Sequence, residues 1–265
     1  MTDLAPSVDY GAVTETAGLP ASKRQLAMAY HRYTMAARHC LGDLLEVGCG
    51  AGQGLRYLAS VASRLVVGGD VTASNLVEAG RVYHGPLIRL DAMRLPFRSQ
   101  SFDSVVLLEA VYYLPDLGQF LRECRRVLRP QGTLLISSVN PAWPDFNPSA
   151  HSVRYYSAPE LGRAVSAAGF AATLYGAFPE DQPTALQRAR SVAKRIAVRF
   201  HLIPSAFKHK TLLKRLMYGR LQEIPADISD VAIPFEEPAK LSGDDSSPHH
   251  VIVYAVGVAE GAAGA

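Results

Sequence analysis

Three acidic residues, Glu46, Asp70 and Asp91, each close an apolar run in the first third of the chain. Short apolar runs are typical of buried strands, and ligands of open parallel sheets bind beyond the carboxyl ends of the strands. A carboxylate at that edge can accept hydrogen bonds from ribose hydroxyls or from the amino group of adenine. The three acids therefore predict a nucleoside site. The alternative for each acid alone is a helix N-cap, a role that Asp often has.

A glycine-rich stretch follows the first of these runs and contains Gly48, Cys49, Gly50 and Gly52. Glycines allow positive φ and let a ligand approach the backbone closely, and such a loop delivers its ligand to the start of the next helix. A dinucleotide fingerprint needs glycines at the first, third and sixth positions, whereas the sixth position counted from Gly48 is Gln53. The spacing therefore disfavours a nicotinamide oxidoreductase.

Apolar periodicity predicts strands and helices in alternation along most of the chain. The predicted strands are 43–47, 65–70, 86–90, 101–109, 133–139, 170–178 and 250–258, and the predicted helices are 22–40, 55–62, 72–82, 117–128 and 157–168. Short connections between alternating strands and helices favour right-handed crossovers and a doubly wound α/β sheet.

Five motifs in order give a specific resemblance, which covers about residues 32–139. They are Leu44–Gly54, Val66–Asp70, Asp91–Phe97, Ser101–Asp103 and Val127–Gly132. Their order and spacing resemble those of the class I S-adenosylmethionine (SAM) dependent methyltransferases, although Glu46 stands where many members have Asp and Gln131 replaces a more frequent Gly. The resemblance implies a seven-stranded Rossmann-like sheet with an antiparallel last strand, and SAM as cofactor.

The resemblance also implies roles for individual residues. The glycine loop would run along the methionine part of SAM, Asp70 would bind ribose, and Asp91 with Ala92 would bind adenine. An Arg-Tyr pair ahead of the first strand suits the SAM carboxylate, the alternative being a solvated Arg32 and a core Tyr33. The predicted cofactor-binding residues are Arg32, Tyr33, Glu46, Gly48, Cys49, Gly50, Gly52, Asp70, Val71, Asp91, Ala92, Met93 and Glu109.

Methyl transfer needs positioning of the acceptor, and a base where the acceptor is a hydroxyl. The candidate bases are Glu109, His31 and His151. The alternative for each histidine is an ordinary surface residue. The sequence contains no metal-ligand spacing, and its three cysteines have neither CxxC nor Cys/His spacing, so we predict no metal site and no disulfide framework.

Composition indicates an ordinary globular protein of 265 residues with 48% hydrophobic content and a net charge of +3. The sequence has no apolar run long enough to cross a bilayer and no basic, apolar leader at its start, so we expect a soluble cytoplasmic protein. The positive charge is local, because residues 182–222 contain ten basic residues and no acid, while the remainder carries 17 basic and 24 acidic residues.

Domain boundaries follow from these patterns. We predict a flexible N-terminal arm (1–20), a SAM-binding core (21–180), a basic helical insertion between strands six and seven (181–247) and the final core strand (248–260). Apolar stripes within the insertion predict amphipathic helices that form a lid or an acceptor pocket. The alternatives are a solvated basic face or a contact with a membrane surface.

The sequence thus predicts a methyltransferase that acts on a small-molecule acceptor, through oxygen, such as a glycan, lipid-linked or secondary-metabolite intermediate. The basic insertion favours an anionic acceptor. An RNA methyltransferase is an alternative, although no nucleic-acid module and no aromatic binding platform are visible. A non-catalytic SAM-binding protein is the other alternative. The sequence does not determine the oligomeric state.

Overall fold

The computed structural model describes residues 10–61, 63–180, 221–231 and 233–260. The helices predicted within the basic insertion lie at 181–220, outside the described residues. The described α-helices are α1 (Lys23–His39), α2 (Leu55–Val61), α3 (Ala73–Val82), α4 (Leu117–Val127) and α5 (Ala158–Ala167). All five coincide with predicted helices to within a few residues. None of the helices in this part of the chain is long and apolar enough to cross a membrane.

The strands alternate with these helices. They are β1 (Pro20–Ala21), β2 (Gly42–Val47), β3 (Ser63–Asp70), β4 (Leu87–Arg89), β5 (Phe102–Leu108), β6 (Leu128–Val139), β7 (Phe170–Pro179), β8 (Gln222–Glu223), β9 (Ala239–Leu241) and β10 (His250–Ala259). The main sheet has the order β4-β3-β2-β5-β6-β10-β7-β9, and β1 pairs with β8 in a separate small sheet.

The main sheet is mixed. Strands β2 to β6 pair with one another in parallel, whereas β10 is antiparallel to both β6 and β7, as the resemblance implied. The predicted count of seven strands was wrong, since the described sheet has eight. The additional strand is β9, whose three residues pair with the outer edge of β7.

Apolar residues on both faces of the sheet explain why helices cover both sides. Leu44, Val106 and Leu135 face the cluster that includes residues of α1 and α2. Their neighbours Leu45 and Val105 face the opposite cluster, formed with α4 and α5. Alternate side chains of a strand point to opposite faces, so each parallel strand needs apolar residues at successive positions.

Capping groups define the helix that precedes the sheet. The Ser22 hydroxyl accepts a hydrogen bond from the Gln25 backbone N–H, and the Gln25 side chain accepts one from the Ser22 backbone N–H. This capping box satisfies two donors that a helix start leaves unpaired. It fixes where α1 begins, and therefore which α1 residues face the sheet.

Residues 10–20, the described part of the predicted arm, lie against the core. Tyr10–Val13 form a 3-10 turn, and β1 pairs with β8. The pairing is extended by Gly18, whose N–H donates to the carbonyl of Ile224 at 2.9 Å. Residues 1–9 lie outside the described part of the chain. The described arm therefore belongs to the wall of the site.

Candidate functional site

A cavity of about 520 Å³ opens at the carboxyl ends of the parallel strands. Its volume is in the range of sites that hold a cofactor-sized ligand. Most predicted cofactor-binding residues line it together: Arg32, Tyr33, Gly48, Cys49, Gly50, Asp70, Val71, Asp91, Ala92, Met93 and Glu109. Glu46, Gly52, His31 and His151 do not belong to this lining.

Asp70 ends β3 and holds the glycine loop in place. One carboxylate oxygen accepts a hydrogen bond from the Gly50 N–H at 2.9 Å, and the other accepts from the Thr72 N–H at 2.8 Å and the Asn75 amide at 3.3 Å. Burial raises the pKa of the Asp70 carboxyl above its usual value, although the hydrogen bonds from Thr72 and Gly50 oppose that shift. The carboxylate remains on the cavity wall, where ribose hydroxyls can reach it.

Asp91 sits in a tight turn that follows β4. Its carboxylate accepts a hydrogen bond from the Met93 N–H at 2.8 Å, and the Met93 carbonyl accepts one from the side chain of Gln119 at 3.1 Å. Gln119 belongs to α4, so the helix anchors the turn that presents Asp91, Ala92 and Met93 to the cavity. The arrangement suits a planar base with an exocyclic amino group.

The glycine loop needs positive φ at Gly48 (70°), Gly50 (54°) and Gly52 (76°). A Cβ at Gly50 would lie 3.0 Å from the Thr14 side chain of the arm. A Cβ at Gly52 would lie 2.8 Å from Ala79 of α3. Gly52 therefore allows α3 to pack closely on the loop, whereas Gly48 and Gly50 line the cavity.

Glu46 and Tyr33 form a buried pair behind the loop. The Tyr33 hydroxyl donates to Glu46 Oε1 at 3.1 Å, and Glu46 Oε2 has no hydrogen-bond partner among the described residues. Burial raises the pKa of the Glu46 carboxyl to about 8. The Tyr33 ring packs on Gly54, where no side chain would fit, since an added Cβ would lie 2.0 Å from the ring. Glu46 thus supports the glycine loop indirectly, by holding the Tyr33 ring against Gly54.

Arg32 lines the cavity near two carboxylates, those of Glu15 and Glu109. Its guanidinium donates to Glu15 of the arm at 3.2 Å, and only 12% of its side chain is exposed. Burial lowers the pKa of Arg32, but the charges of Glu15 and Glu109 outweigh burial and leave the pKa raised. This cation suits a ligand carboxylate, as predicted for the methionine end of SAM.

Glu109 follows β5 and has a positive φ of 52°. Non-glycine residues in this conformation cost on the order of 1 kcal/mol and cluster at functional sites. Its carboxylate accepts a hydrogen bond from the Val139 N–H at 3.2 Å. Burial raises the pKa of Glu109, and the charge of Arg32 opposes that shift. The structure therefore holds a buried acid with an elevated pKa on the cavity wall.

The two histidines predicted as bases lie elsewhere. His31 is 3% exposed and faces the core, where Nε2 donates to the Glu236 carbonyl at 2.8 Å and Nδ1 accepts from the Tyr254 hydroxyl at 2.7 Å. Burial lowers the pKa of His31. His151 is exposed in the loop after β6. The structure brings only Glu109 of the three predicted bases to the cavity.

Sequence reasoning missed the residues that the arm and α3 contribute. Tyr10, Thr14 and Glu15 line the cavity, as does Asn75. The Asn75 amide links the Thr14 hydroxyl (3.0 Å) to Asp70. The arm has no periodicity that could have revealed this. The one available signal was the polar Asn75, five residues after Asp70 on a predicted helix. A polar helix residue is as common on a solvent-exposed face as in a site, so this signal does not identify a binding residue.

The described part of the chain contains no group of three or more His, Cys, Asp or Glu side chains that could hold a metal ion. The three cysteines are buried and unpaired. Burial raises the pKa of Cys49 well above its usual value, so this thiol in the loop stays protonated. Cys49 thus acts as a small side chain in the lining.

The fold and the cavity define a nucleoside-binding Rossmann-like domain, and comparison with known proteins gives its class. Residues 45–136 match the family model described as a methyltransferase domain. This part of the chain is a class I SAM-dependent methyltransferase domain, and SAM is the cofactor of its class.

Two curated relatives have sequences similar to part of this chain. Methyltransferase GfsG of Streptomyces halstedii is 35% identical over 126 residues, which is 45% of this chain and 44% of that protein. The phthiotriol/phenolphthiotriol dimycocerosates methyltransferase 1 of Mycobacterium ulcerans is 35% identical over 117 residues, 43% of each chain. The chain therefore spans less than half the length of both relatives.

A solved structure extends the likeness over most of the fold. A SAM-dependent methyltransferase of Thermotoga maritima, described as a possible histamine N-methyltransferase, superposes with a TM-score of 0.54 at 15% identity. The match covers 88% of this chain and 91% of that one. At this identity the match shows the α/β methyltransferase fold and its mixed sheet.

Proposed function

We propose that this protein transfers the methyl group of SAM to an oxygen of a small-molecule acceptor. The supporting observation is that one cavity carries acids suited to a nucleoside at one end, a cation suited to a carboxylate, and the carboxyl of Glu109. The domain class and the curated relatives, among them a phthiotriol/phenolphthiotriol dimycocerosates methyltransferase, support methyl transfer to a small molecule.

The residues of the cavity fit SAM by their chemistry. Asp70 would accept hydrogen bonds from the ribose, Asp91 from the adenine amino group, and Arg32 would pair with the carboxylate. When bound, SAM supplies a methyl group on a positively charged sulfur and leaves as S-adenosylhomocysteine. The protein has to exclude water and hold the acceptor in line.

Glu109 is the proposed general base. Its carboxylate is buried beside the cavity, so it is poorly solvated and readily takes a proton from an acceptor hydroxyl. The Val139 N–H and the Ser137 hydroxyl fix its orientation through contacts of 3.2 Å and 3.5 Å. Neither predicted histidine lines the cavity, which is why Glu109 carries this role in the proposal.

Calorimetric titration with SAM and with S-adenosylhomocysteine tests the cofactor. We expect micromolar binding, and Asp70→Ala should weaken it by about tenfold or more, since hydrogen bonds to a charged group contribute about 1.5–3 kcal/mol. Glu78→Ala is the matched control, because Glu78 lies on the outer side of α3 and pairs with Arg81. Absence of binding by the unmodified protein would overturn the proposal.

A second step tests catalysis. The protein is incubated with methyl-labelled SAM and a solvent extract of small molecules, and labelled products are separated by mass. Label on an oxygen of a small molecule supports the proposal. Tight SAM binding with no labelled product, under conditions where a known methyltransferase labels the same extract, would instead favour a non-catalytic SAM-binding protein.

A further inference from the structure

The cavity continues past Glu109 into an end lined by aromatic rings. Tyr112 and Tyr113 come from the 3-10 turn that follows β5, and Tyr10 comes from the arm. The rings of Tyr112 and Tyr113 are 4.6 Å apart, and those of Tyr10 and Tyr113 are 4.9 Å apart. We call Tyr10, Tyr112 and Tyr113 the aromatic wall.

The Tyr113 and Tyr155 hydroxyls form hydrogen bonds within the protein. Tyr113 shares a hydrogen bond of 2.6 Å with the Ser149 hydroxyl, and the Ser149 N–H donates to the Tyr155 hydroxyl at 2.9 Å. Because the Tyr113 hydroxyl is already paired, this residue offers the cavity mainly the face and edge of its ring.

A second layer of rings holds the wall rigid. The Tyr155 ring stacks on Tyr112 at 4.4 Å and 19°, and Phe146 packs edge-on against Tyr155 at 4.6 Å. Tyr112 is only 7% exposed. A rigid aromatic surface binds a flat ring with little loss of side-chain entropy.

The charges around this cavity oppose an anionic ligand. Arg32 is the one Lys or Arg among the described lining residues, and Glu15 and Glu109 already surround it. The same lining contains four acids, namely Glu15, Asp70, Asp91 and Glu109. A phosphate or carboxylate on the acceptor would find no second cation among the described lining residues, and burying an unpaired charge is costly.

We infer that this end of the cavity binds a neutral aromatic alcohol, with its ring against the aromatic wall and its hydroxyl toward Glu109. The inference rests on the proposed function and names its acceptor class. It differs from the anionic acceptor that the basic insertion suggested, because the ten basic residues clustered at 188–220 lie outside the described residues and the described lining is mainly acidic.

Three probes of similar size test the inference in the presence of saturating S-adenosylhomocysteine. They are 2-naphthol (neutral, aromatic), 6-hydroxy-2-naphthoate (anionic, aromatic) and 2-decalol (neutral, saturated), and ligand-observed NMR gives their dissociation constants. We expect 2-naphthol to bind at least about tenfold more tightly than either of the others. Equal or tighter binding of the naphthoate or the decalol, or no binding of 2-naphthol, would overturn the inference.

Variants at Tyr10 locate the binding. Tyr10 is only partly buried, so its replacement does not open the core. Tyr10→Ala should weaken 2-naphthol about fivefold and Tyr10→Phe should restore its binding, because the ring and not the hydroxyl makes the contact. Tyr30→Ala, a partly buried tyrosine outside the cavity lining, is the control and should change nothing. Unchanged 2-naphthol binding by Tyr10→Ala would overturn this placement.

The two proposals fail separately. If the unmodified protein does not bind S-adenosylhomocysteine, the cofactor assignment is wrong and the proposed function fails with it. Intact S-adenosylhomocysteine binding without a preference for 2-naphthol contradicts only the aromatic acceptor.

Discussion

The two ends of the cavity are built in different ways. At the nucleoside end, Asp70 and Asp91 sit in short turns and are held by nearby backbone N–H groups, as in the contacts with Thr72 and Met93. At the acceptor end, Tyr10, Tyr113 and Ser149 come from segments far apart in the chain and contact one another through rings and hydroxyls. Local backbone geometry defines the first end, and tertiary packing defines the second.

The largest effect should come from disturbing the loop at the nucleoside end. Gly52→Ala places a Cβ 2.8 Å from Ala79 at a residue with φ of 76°. Strain and overpacking together should lower the free energy of unfolding by about 2–4 kcal/mol and abolish SAM binding. Urea denaturation and calorimetry measure the two effects.

Gly243→Ala is the matched control for this change, because nothing lies within 4 Å of the Cβ that it would add. It should leave both stability and SAM binding unchanged. If Gly52→Ala behaved like this control, the loop would tolerate the added Cβ. Local backbone geometry would then not define the nucleoside end of the cavity.

Glu109 lies where the two ends meet, so its replacement should separate binding from catalysis. Glu109→Gln should lower kcat by about 10²–10⁴-fold with little change in SAM affinity, since it removes the proposed base and keeps a polar side chain of the same shape on the cavity wall. Because burial raises the pKa of Glu109, the kcat of the unmodified enzyme should fall as pH drops through this elevated pKa. The residual activity of Glu109→Gln should lose that dependence.

The readout for Glu109 is a pair of measurements, single-turnover rate and SAM dissociation constant, followed over pH. Ser137→Ala is a useful companion, since its hydroxyl contacts Glu109 at 3.5 Å without being a candidate base. A Glu109→Gln rate within threefold of the unmodified enzyme would remove Glu109 from the mechanism.

The contrast between the two ends also explains what the sequence could predict. Strand ends marked by Asp70 and Asp91, and glycines at Gly48 and Gly50, are local signals, and the structure brings all four to the cavity. The boundaries of the regular helices are local for the same reason. Periodicity and capping need only neighbouring residues.

Features that depend on tertiary pairing were not predictable. Strand β9 has three residues, too few for an alternating pattern, and exists because β7 offers an edge. Strand β6 begins at Leu128 and not at the predicted residue 133, because Leu128 pairs with Phe102 before a shift in register. The roles of Tyr10 and Glu15 follow only from where the arm crosses the cavity.

Replacing Arg32, which pairs with Glu15 of the arm, should have an effect of intermediate size on SAM binding. Arg32→Met should weaken SAM about tenfold, because it removes the cation proposed for the carboxylate. It should hardly change the affinity for 5′-methylthioadenosine, which keeps the nucleoside and lacks the amino acid. Competition titration of both ligands measures the difference. Equal losses for both would show that Arg32 acts through the general shape of the site.

The smallest expected effect concerns Glu46, which supports the loop without lining the cavity. Its pKa in the folded protein is raised to about 8, above the ordinary value of an unfolded Glu. The folded state therefore holds this proton more tightly, so its contribution is complete below about pH 4 and is lost as pH rises toward 8. Glu46→Gln, which mimics the protonated carboxyl, should flatten this decline and stabilise the protein at pH 8 by about 1 kcal/mol.

Thermal and urea unfolding of the ligand-free protein between pH 5 and pH 8 measure this effect, with Glu78→Gln as the exposed control on α3. A decline with pH that is the same in Glu46→Gln and in the unmodified protein would mean that Glu46 is ionised in the folded state. The unpaired Oε2 atom would then need a donor, and the loop above it would have to supply one. The nucleoside end would in that case rest on a buried charge as well as on backbone geometry.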